Sequence, residues 1–195
     1  MFRVAVPLLL VAALVGCGDD DTPESADLAT FTLKERLFRA EIPVTVWGRA
    51  ADLAEAHASA EAAANLMTGS EGWEYGDRDG NGVIDDEDVG EFGVLPGLDG
   101  TPVGLAEAVD NECIEADVLG GSWDDPAARW AELETALDAW TPENDTISAL
   151  ASQPMQVVGW ATLAISTDDV DEARDFGDLA VINVQASIEA ADCEA

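Results

Sequence analysis

Oxygen-bearing side chains alternate along one short, glycine-rich stretch of the chain, residues 77–88, which reads DRDGNGVIDDED. Asp77, Asp79 and Asn81 stand two positions apart, and Gly82 follows them. Carboxylate and amide oxygens are the ligands that calcium takes in proteins, because it is a hard cation that gathers six to eight oxygens. The spacing therefore predicts a calcium-binding loop.

The segment 77–88 resembles the calcium loop of EF-hand proteins, and its last residue brings it closer to the dockerin-type variant of that loop. In such a loop calcium is held by side-chain oxygens and by one backbone carbonyl. The resemblance therefore implies a ligand set of Asp77, Asp79, Asn81, the Val83 carbonyl, Asp85 and Asp88. It also places Gly82 at the sharp turn of the loop and Ile84 in the apolar core.

The segment departs from the EF-hand pattern in its closing ligand and in its flanks. Asp88 is shorter than the bidentate glutamate of the standard loop. Residues 68–76 carry three glycines, so an entering helix is not expected there, and Gly90 shortens any exiting helix. The sequence contains no second loop, so neither a paired hand nor cohesin binding is implied. Since calcium outside the cell is at about millimolar concentration, we expect the site to be occupied and the bound ion to stabilise the loop.

A second group of polar residues lies in an alanine-rich segment. His57, Glu61 and Asn65 follow one another at intervals of four, so they share one face of a predicted helix. Such a face can hold a metal ion or relay a proton, but a single histidine among alanines is also typical of a packed or capping residue. The chain has one histidine and no Gly-x-Ser-x-Gly motif, so no nucleophile system of the hydrolase kind is visible.

The first residues have the pattern of a secretory signal. Arg3 gives a cationic start, and residues 4–15 form an apolar run. As a helix this run would rise about 18 Å, which is too short for a bilayer core of roughly 30 Å. The run ends in Leu-Val-Gly-Cys, which resembles the lipobox of bacterial lipoproteins, with Cys17 as the lipidated residue. The alternative is an ordinary cleaved signal with an incidental cysteine.

The lipobox resemblance implies cleavage after Gly16, so that residues 1–16 are a signal peptide and Cys17 carries a diacylglycerol thioether. Two or three acyl chains make a stable anchor. Residues 17–26 are polar, acidic and interrupted by a proline, and are predicted to be a tether. The expected location is the cell envelope, on the outer side of a membrane, either periplasmic or at the cell surface.

The chain is strongly acidic, with 41 acidic residues against 8 basic ones and a net charge of −33. Nucleic acid and anionic lipid are poor partners for it, because both are polyanions. Removal of residues 1–16 leaves 195 − 16 = 179 residues, the size of one domain, and 48% of all residues are apolar. Residues 27–195 are therefore predicted to form a single α-helical domain.

Three cysteines are present, and the lipobox resemblance assigns one of them, Cys17, to lipid. In an oxidising compartment the remaining two, Cys113 and Cys193, are expected to pair. The alternative is two buried free thiols. Neither stands in a CxxC arrangement, so the sequence does not support redox catalysis.

Apolar spacing and alanine content predict the first helices. Residues 28–41 have helical spacing, and Pro43 is expected to end or interrupt that helix. Residues 48–67 are rich in alanine, and Gly69 is expected to stop the second helix.

Helix start signals recur in the second half of the chain, where an N-cap residue precedes a proline. The three pairs are Thr101-Pro102, Asp125-Pro126 and Thr141-Pro142. The first predicts a helix to about residue 119, the second a helix with an apolar stripe from Trp130 to Trp140, and the third a helix that Pro154 breaks.

The remaining segments complete an all-α prediction. Residues 169–191 have one apolar helical face, whereas 155–165 fit a strand as well as a helix. Residues 69–100 show no helical period and hold the calcium motif. Because alternation of period two is almost absent, we predict an all-α bundle of about five helices with a long calcium-binding loop.

Together these features favour a membrane-anchored, calcium-binding lipoprotein that is not an enzyme and that has a structural role or meets an envelope or extracellular protein. One alternative is a calcium-dependent hydrolase that uses carboxylates, although spacing singles out no pair among the 41 acidic residues. Another is a helical ligand-binding or sensor module centred on His57.

Overall fold

A computed structural model of the chain describes residues 32–70, 72–85, 93–98, 100–101 and 105–193. Within these ranges the secondary structure is helical and contains no strand, which confirms the all-α prediction. The helices are α1 (Leu33–Trp47), α2 (Leu53–Thr68), α3 (Ala106–Val109), α4 (Pro126–Ala139), α5 (Gln153–Ser166) and α6 (Val170–Ala190), with a π-helical turn at Ile114–Val118. The signal peptide, Cys17, the tether and Asp88 lie outside the described residues.

Four long helices form the centre of the fold. Helix α1 packs against α2 and α6, and α5 packs against the same two, so α1 and α5 lie diagonally opposite each other. Helix α4 packs on α5. Short links join α1 to α2 and α5 to α6, whereas residues 69–152 separate α2 from α5. The predicted calcium loop therefore belongs to a long excursion that begins directly at the end of α2.

Local capping explains where several helices begin. The Thr32 hydroxyl accepts a hydrogen bond from the Glu35 amide, and the Glu35 carboxylate accepts one from the Thr32 amide. Asp52 and Asp125 cap α2 and α4 by accepting bonds from backbone amides three residues later. Asp169 caps α6, so the start signal predicted at residue 125 and the helix predicted from about residue 169 are confirmed.

Helix α1 does not end at Pro43, and its predicted span of 28–41 was wrong. The proline lies inside a helix that continues to Trp47. Proline costs one intrahelical hydrogen bond, but Val44 and Trp47 beyond it are fully buried. The Trp47 indole also donates to the Ala173 carbonyl of α6 at 2.7 Å. Tertiary packing therefore outweighs the local signal.

The helix predicted from Thr141 does not form. Thr141 and Asn144 instead exchange backbone hydrogen bonds in a tight turn, with N–O distances of 3.3 and 2.8 Å. The Asn144 amide group also donates to the Ala139 carbonyl and so closes the end of α4. Pro154, predicted to break a helix, lies in the first turn of α5, where a missing amide hydrogen costs nothing. The ambiguous segment 155–165 is helical.

The predicted helix 101–119 is reduced in the described residues to α3 and the π-helical turn, and residues 102–104 are outside them. A disulfide joins Cys113, just before this turn, to Cys193 beyond the end of α6, with a Cα–Cα distance of 6.0 Å. The predicted pairing is confirmed, and it fixes the excursion to the four-helix core.

The core consists of tryptophans, leucines and many alanines. Trp47, Trp130 and Trp160 are essentially inaccessible to solvent. Trp73, from the segment that enters the predicted loop, stacks on Trp130 of α4 with ring centroids 5.6 Å apart. This stack holds the start of the loop against the body of the protein. None of the helices described is both long and apolar enough to cross a membrane.

Candidate metal centre

The predicted calcium loop lies along one face of α2. This helix is rich in alanine, but two of its polar side chains, Glu61 and Asn65, are fully buried. They stand one helical turn apart, and both contact the loop. A buried charge or amide is costly unless hydrogen bonds satisfy it, so the partners of these two side chains define the site.

The Glu61 carboxylate accepts three hydrogen bonds from the backbone of the loop. Its Oε2 atom accepts from the amides of Arg78 and Asp79, at 2.6 and 2.9 Å. Its Oε1 atom accepts from the amide of Asp85 at 2.9 Å. A single buried carboxylate thus ties the second, third and ninth positions of the predicted loop to α2, and such charge-assisted bonds are the stronger kind.

Asn65 joins the residue before the loop to the ninth residue of the loop. Its Nδ2 group donates to the carbonyls of Gly76 and Asp85, at 3.1 and 3.2 Å. Its Oδ1 atom accepts from the Gly76 amide at 3.2 Å and from Arg78 Nε at 3.3 Å. The residue before the loop and the ninth residue within it are therefore held by one side chain.

Arg78 places a positive charge near the carboxylates of Glu61 and Glu74. Its guanidinium lies 5.5 Å from the centre of the Trp73 ring, and Nη2 donates to the Trp73 carbonyl at 2.7 Å. Burial lowers the pKa of Arg78 to about 10, and the nearby carboxylates of Glu74 and Glu61 oppose that shift. The group remains charged at neutral pH and partly balances Glu61.

Side-chain oxygens shape the interior of the loop. Asp77 Oδ2 accepts a hydrogen bond from the amide of Gly82 at 2.9 Å. Asp79 Oδ1 accepts from the Asn81 amide at 2.9 Å, and Asn81 Oδ1 accepts from the Val83 amide at 2.7 Å. These are consecutive turns of the kind that Asp and Asn stabilise. Gly82 has a φ of 88°, so the predicted sharp turn occurs at the residue that allows it.

The structure brings two of the predicted ligands together with a residue that was not among them. Glu61, Asp79 and Asp85 each offer one carboxylate oxygen, and these three atoms lie within 4.8 Å of one another. Two oxygens bound to one calcium ion at about 2.3–2.6 Å are at most roughly 5 Å apart, and the separations of these three atoms satisfy that condition. Asp77 is not in this group, and Asp88 is outside the residues described.

The chemistry of these donors suits a hard cation. Every donor in the group is a carboxylate oxygen, without the imidazole or thiolate ligands that zinc and copper prefer. Three negative charges in a small volume also repel one another, so a bound divalent cation would relieve the repulsion. The residues present could therefore hold a hard divalent cation.

His57 does not join Glu61 and Asn65 at the loop. Its Nε2 atom lies 3.1 Å from the Thr167 carbonyl, in the link between α5 and α6. The three residues predicted to share one face therefore have different partners. Glu61 and Asn65 contact the loop, whereas His57 contacts the link between α5 and α6. The sequence carries no signal for this difference, since His57, Glu61 and Asn65 are all polar residues that follow or precede alanine in α2.

A cavity of about 270 Å³ lies between the start of the loop and α5. Glu74 and Asp77 contribute carboxylates to its wall, and Thr162 and Ile165 contribute the side formed by α5. Glu74 has a φ of 50°, an uncommon backbone conformation for a residue other than glycine.

No family model matches the chain, and comparisons with curated proteins and with solved structures find no similar protein.

Proposed function

We propose that this protein is a lipid-anchored, calcium-binding protein of the cell envelope, with a structural or interaction role rather than an enzymatic one. The proposed calcium ligands are Asp77, Asp79, Asn81, the Val83 carbonyl, Asp85 and Asp88, and the proposed lipid is carried by Cys17. The observation that carries the calcium proposal is the hold of α2 on the loop, because it keeps the carboxylates of Asp79 and Asp85 within reach of one ion.

Calcium would act on the loop by neutralising its charge. The loop has little apolar area of its own, and apart from Ile84 its described residues are polar, glycine or exposed valine. A ligand that binds the folded state alone stabilises it by RT ln(1 + [L]/Kd), or about 2.7 kcal/mol at a calcium concentration 100 times Kd. For a domain of this size that corresponds to a rise in Tm of roughly 5–10 °C.

The test compares melting with calcium and with sodium chloride at matched ionic strength. We expect calcium to raise the Tm of the wild type and to have little effect on the Asp77→Ala/Asp79→Ala variant. The matched control is Asp138→Ala/Asp175→Ala, which removes two exposed aspartates of α4 and α6 and changes the net charge equally. If calcium stabilises the loop variant as much as the control, the loop is only an acidic turn.

The anchor is tested separately. Mass spectrometry of the membrane fraction should find a mature terminus at an acylated Cys17. A different mature terminus, or membrane association that persists unchanged in Cys17→Ala, contradicts the anchor and leaves the calcium proposal standing.

The cavity beside the loop supports a second candidate function, a carboxylate-dependent hydrolase. Glu74 and Asp77 both line it. Most glycoside hydrolases cleave their substrate with a pair of carboxyl groups that flank the scissile bond. Release of reducing ends from envelope polysaccharides by the wild type, and its loss in Glu74→Gln, would favour this candidate over the non-enzymatic one.

A further inference from the structure

The outward face of α1 carries an apolar stripe. Phe38, Ile42 and Val46 are spaced four residues apart, so they lie on one side of the helix. They are 46%, 67% and 42% exposed, although the opposite side of α1 is buried in the core. Transfer of side chains of this size out of water lowers the free energy. An exposed stripe of them is therefore typical of a surface that contacts an apolar partner.

Basic residues are concentrated beside this stripe. Residues 32–49 contain four basic and two acidic residues. One of the four, Arg36, is buried, and Lys34 forms an ion pair with Asp192. The basic residues of this segment that are not buried exceed its acidic residues by 3 − 2 = 1, whereas the whole chain has a net charge of −33. Arg49 is exposed, and Lys34 lies 5.8 Å from the centre of the Phe38 ring. The outward face of α1 thus combines exposed apolar side chains with much less negative charge than the chain as a whole.

The apolar surface continues into a groove between α1 and α2. This groove has a volume of about 500 Å³, and Arg39 and the proposed calcium ligand Asp85 contribute to its wall. The rest of its lining is mainly apolar and includes Ile42 and Val46 of α1 and Ala62 and Leu66 of α2. The stripe is therefore one edge of a wider apolar surface.

The position of α1 in the chain indicates what this surface meets. Thr32 caps α1, and it follows Cys17 by 32 − 17 = 15 residues. Even fully extended, 15 residues span at most about 50 Å, so a lipid on Cys17 would keep the start of α1 close to the bilayer. Strong negative charge elsewhere repels an anionic lipid surface, so the face of α1 is the one suited to approach it.

We propose that the outward face of α1 docks on the bilayer to which the chain is tethered. Phe38, Ile42 and Val46 would enter the headgroup boundary, and the exposed Arg49 at the end of the stripe would face the lipid phosphates. This inference rests on the proposed lipid anchor at Cys17. It gives the domain a fixed orientation, with α4, which packs on the diagonally opposite helix α5, turned away from the membrane.

The test measures the accessibility of an introduced thiol in the full-length lipidated protein on vesicles of phosphatidylethanolamine with a minority of phosphatidylglycerol. Ile42→Cys places the thiol on the stripe, and Ala131→Cys places it at an exposed position of α4 as the matched control. In the anchored protein each would be the one free thiol, because Cys113 and Cys193 are paired and Cys17 carries lipid. The rate of reaction with a charged, membrane-impermeant reagent is compared.

If about ten docked molecules exist for each undocked one, the thiol at position 42 reacts roughly tenfold more slowly than that at position 131. The difference should vanish when Phe38→Ser/Val46→Ser is added and when Cys17→Ser is studied without vesicles. Equal rates at both positions in vesicle-bound protein overturn the docking and leave the anchor intact. Protein that lacks lipid on Cys17 overturns both.

A third outcome assigns the surface differently. Slow reaction at position 42 in Cys17→Ser without vesicles, increasing with protein concentration, would show an interface between two copies of the chain. That result overturns docking on the bilayer.

Discussion

Replacement of Glu61 by glutamine is the most informative single change at the loop. Glu61→Gln keeps the size of the side chain but turns one acceptor oxygen into a donor group. If the remaining oxygen still faces the amides of Arg78 and Asp79, the new amide group faces the Asp85 amide, and two donors meet. The reverse orientation would leave two backbone amides without an acceptor.

The size of the effect follows from the three hydrogen bonds. An unsatisfied buried donor costs about 1–3 kcal/mol, and loss of the charge weakens each of the other two bonds by roughly 1 kcal/mol. The expected loss is about 3–5 kcal/mol, or a fall in Tm of roughly 6–20 °C for a chain of this size. Without calcium, part of that loss is offset, because removal of a charge relieves the repulsion of Glu61 with Asp79 and Asp85.

The measurement is thermal unfolding followed by circular dichroism, with calcium and with a chelator. We expect Glu61→Gln to be more destabilising in calcium than in the chelator, so the calcium-dependent rise in Tm shrinks. The matched control is Glu189→Gln, an exposed glutamate of α6. If the two variants melt within about 2 °C of each other in both conditions, the reasoning about Glu61 is wrong, since exposed substitutions change stability by no more than about 0.5 kcal/mol.

Three further predictions concern the loop, the disulfide and the contact between α1 and α6. Asn65→Ala should weaken calcium binding measured by titration, because nothing else described ties Gly76 to the ninth loop position; an unchanged affinity would contradict this. Loss of the disulfide in Cys113→Ser/Cys193→Ser should lower the free energy of unfolding by about 2–4 kcal/mol in denaturant titrations, and an unchanged midpoint would refute it. Gly177→Ala should cost about 1–3 kcal/mol in the same assay, since its new methyl group would lie 2.7 Å from the Gly48 amide nitrogen; equal stability would show that α1 and α6 can separate without cost.

Helix starts were predictable from the sequence where the decisive contact is local. Asp125 and Asp169 accept hydrogen bonds from amides within three residues, so the signal and its partner are read together. The pair Thr141-Pro142 carries the same signal, yet a turn forms there because Asn144 caps the end of α4 instead. The sequence pattern alone does not show which is more stable, a helix that starts at Thr141 or a turn in which Asn144 caps the end of α4.

The candidate site shows the same division between local and distant contacts. The motif predicts the turn at Gly82, which lies within one short segment. The hydrogen bonds that Asp77 and Asp79 accept from the amides of Gly82 and Asn81 lie in the same segment. The hold of Glu61 on the loop joins residues 17 to 24 positions apart, across the end of a helix. Periodicity places Glu61 on a face of α2, but only tertiary packing determines which segment covers that face.

Calorimetric titration of calcium into the metal-free protein tests the central claim most directly. In a sodium chloride background that screens the general negative charge, we predict one saturable calcium site per chain, which is absent from Asp77→Ala/Asp79→Ala and retained in Asp138→Ala/Asp175→Ala. Heat that does not saturate, or a saturable site that survives in Asp77→Ala/Asp79→Ala, would contradict a calcium site in this loop.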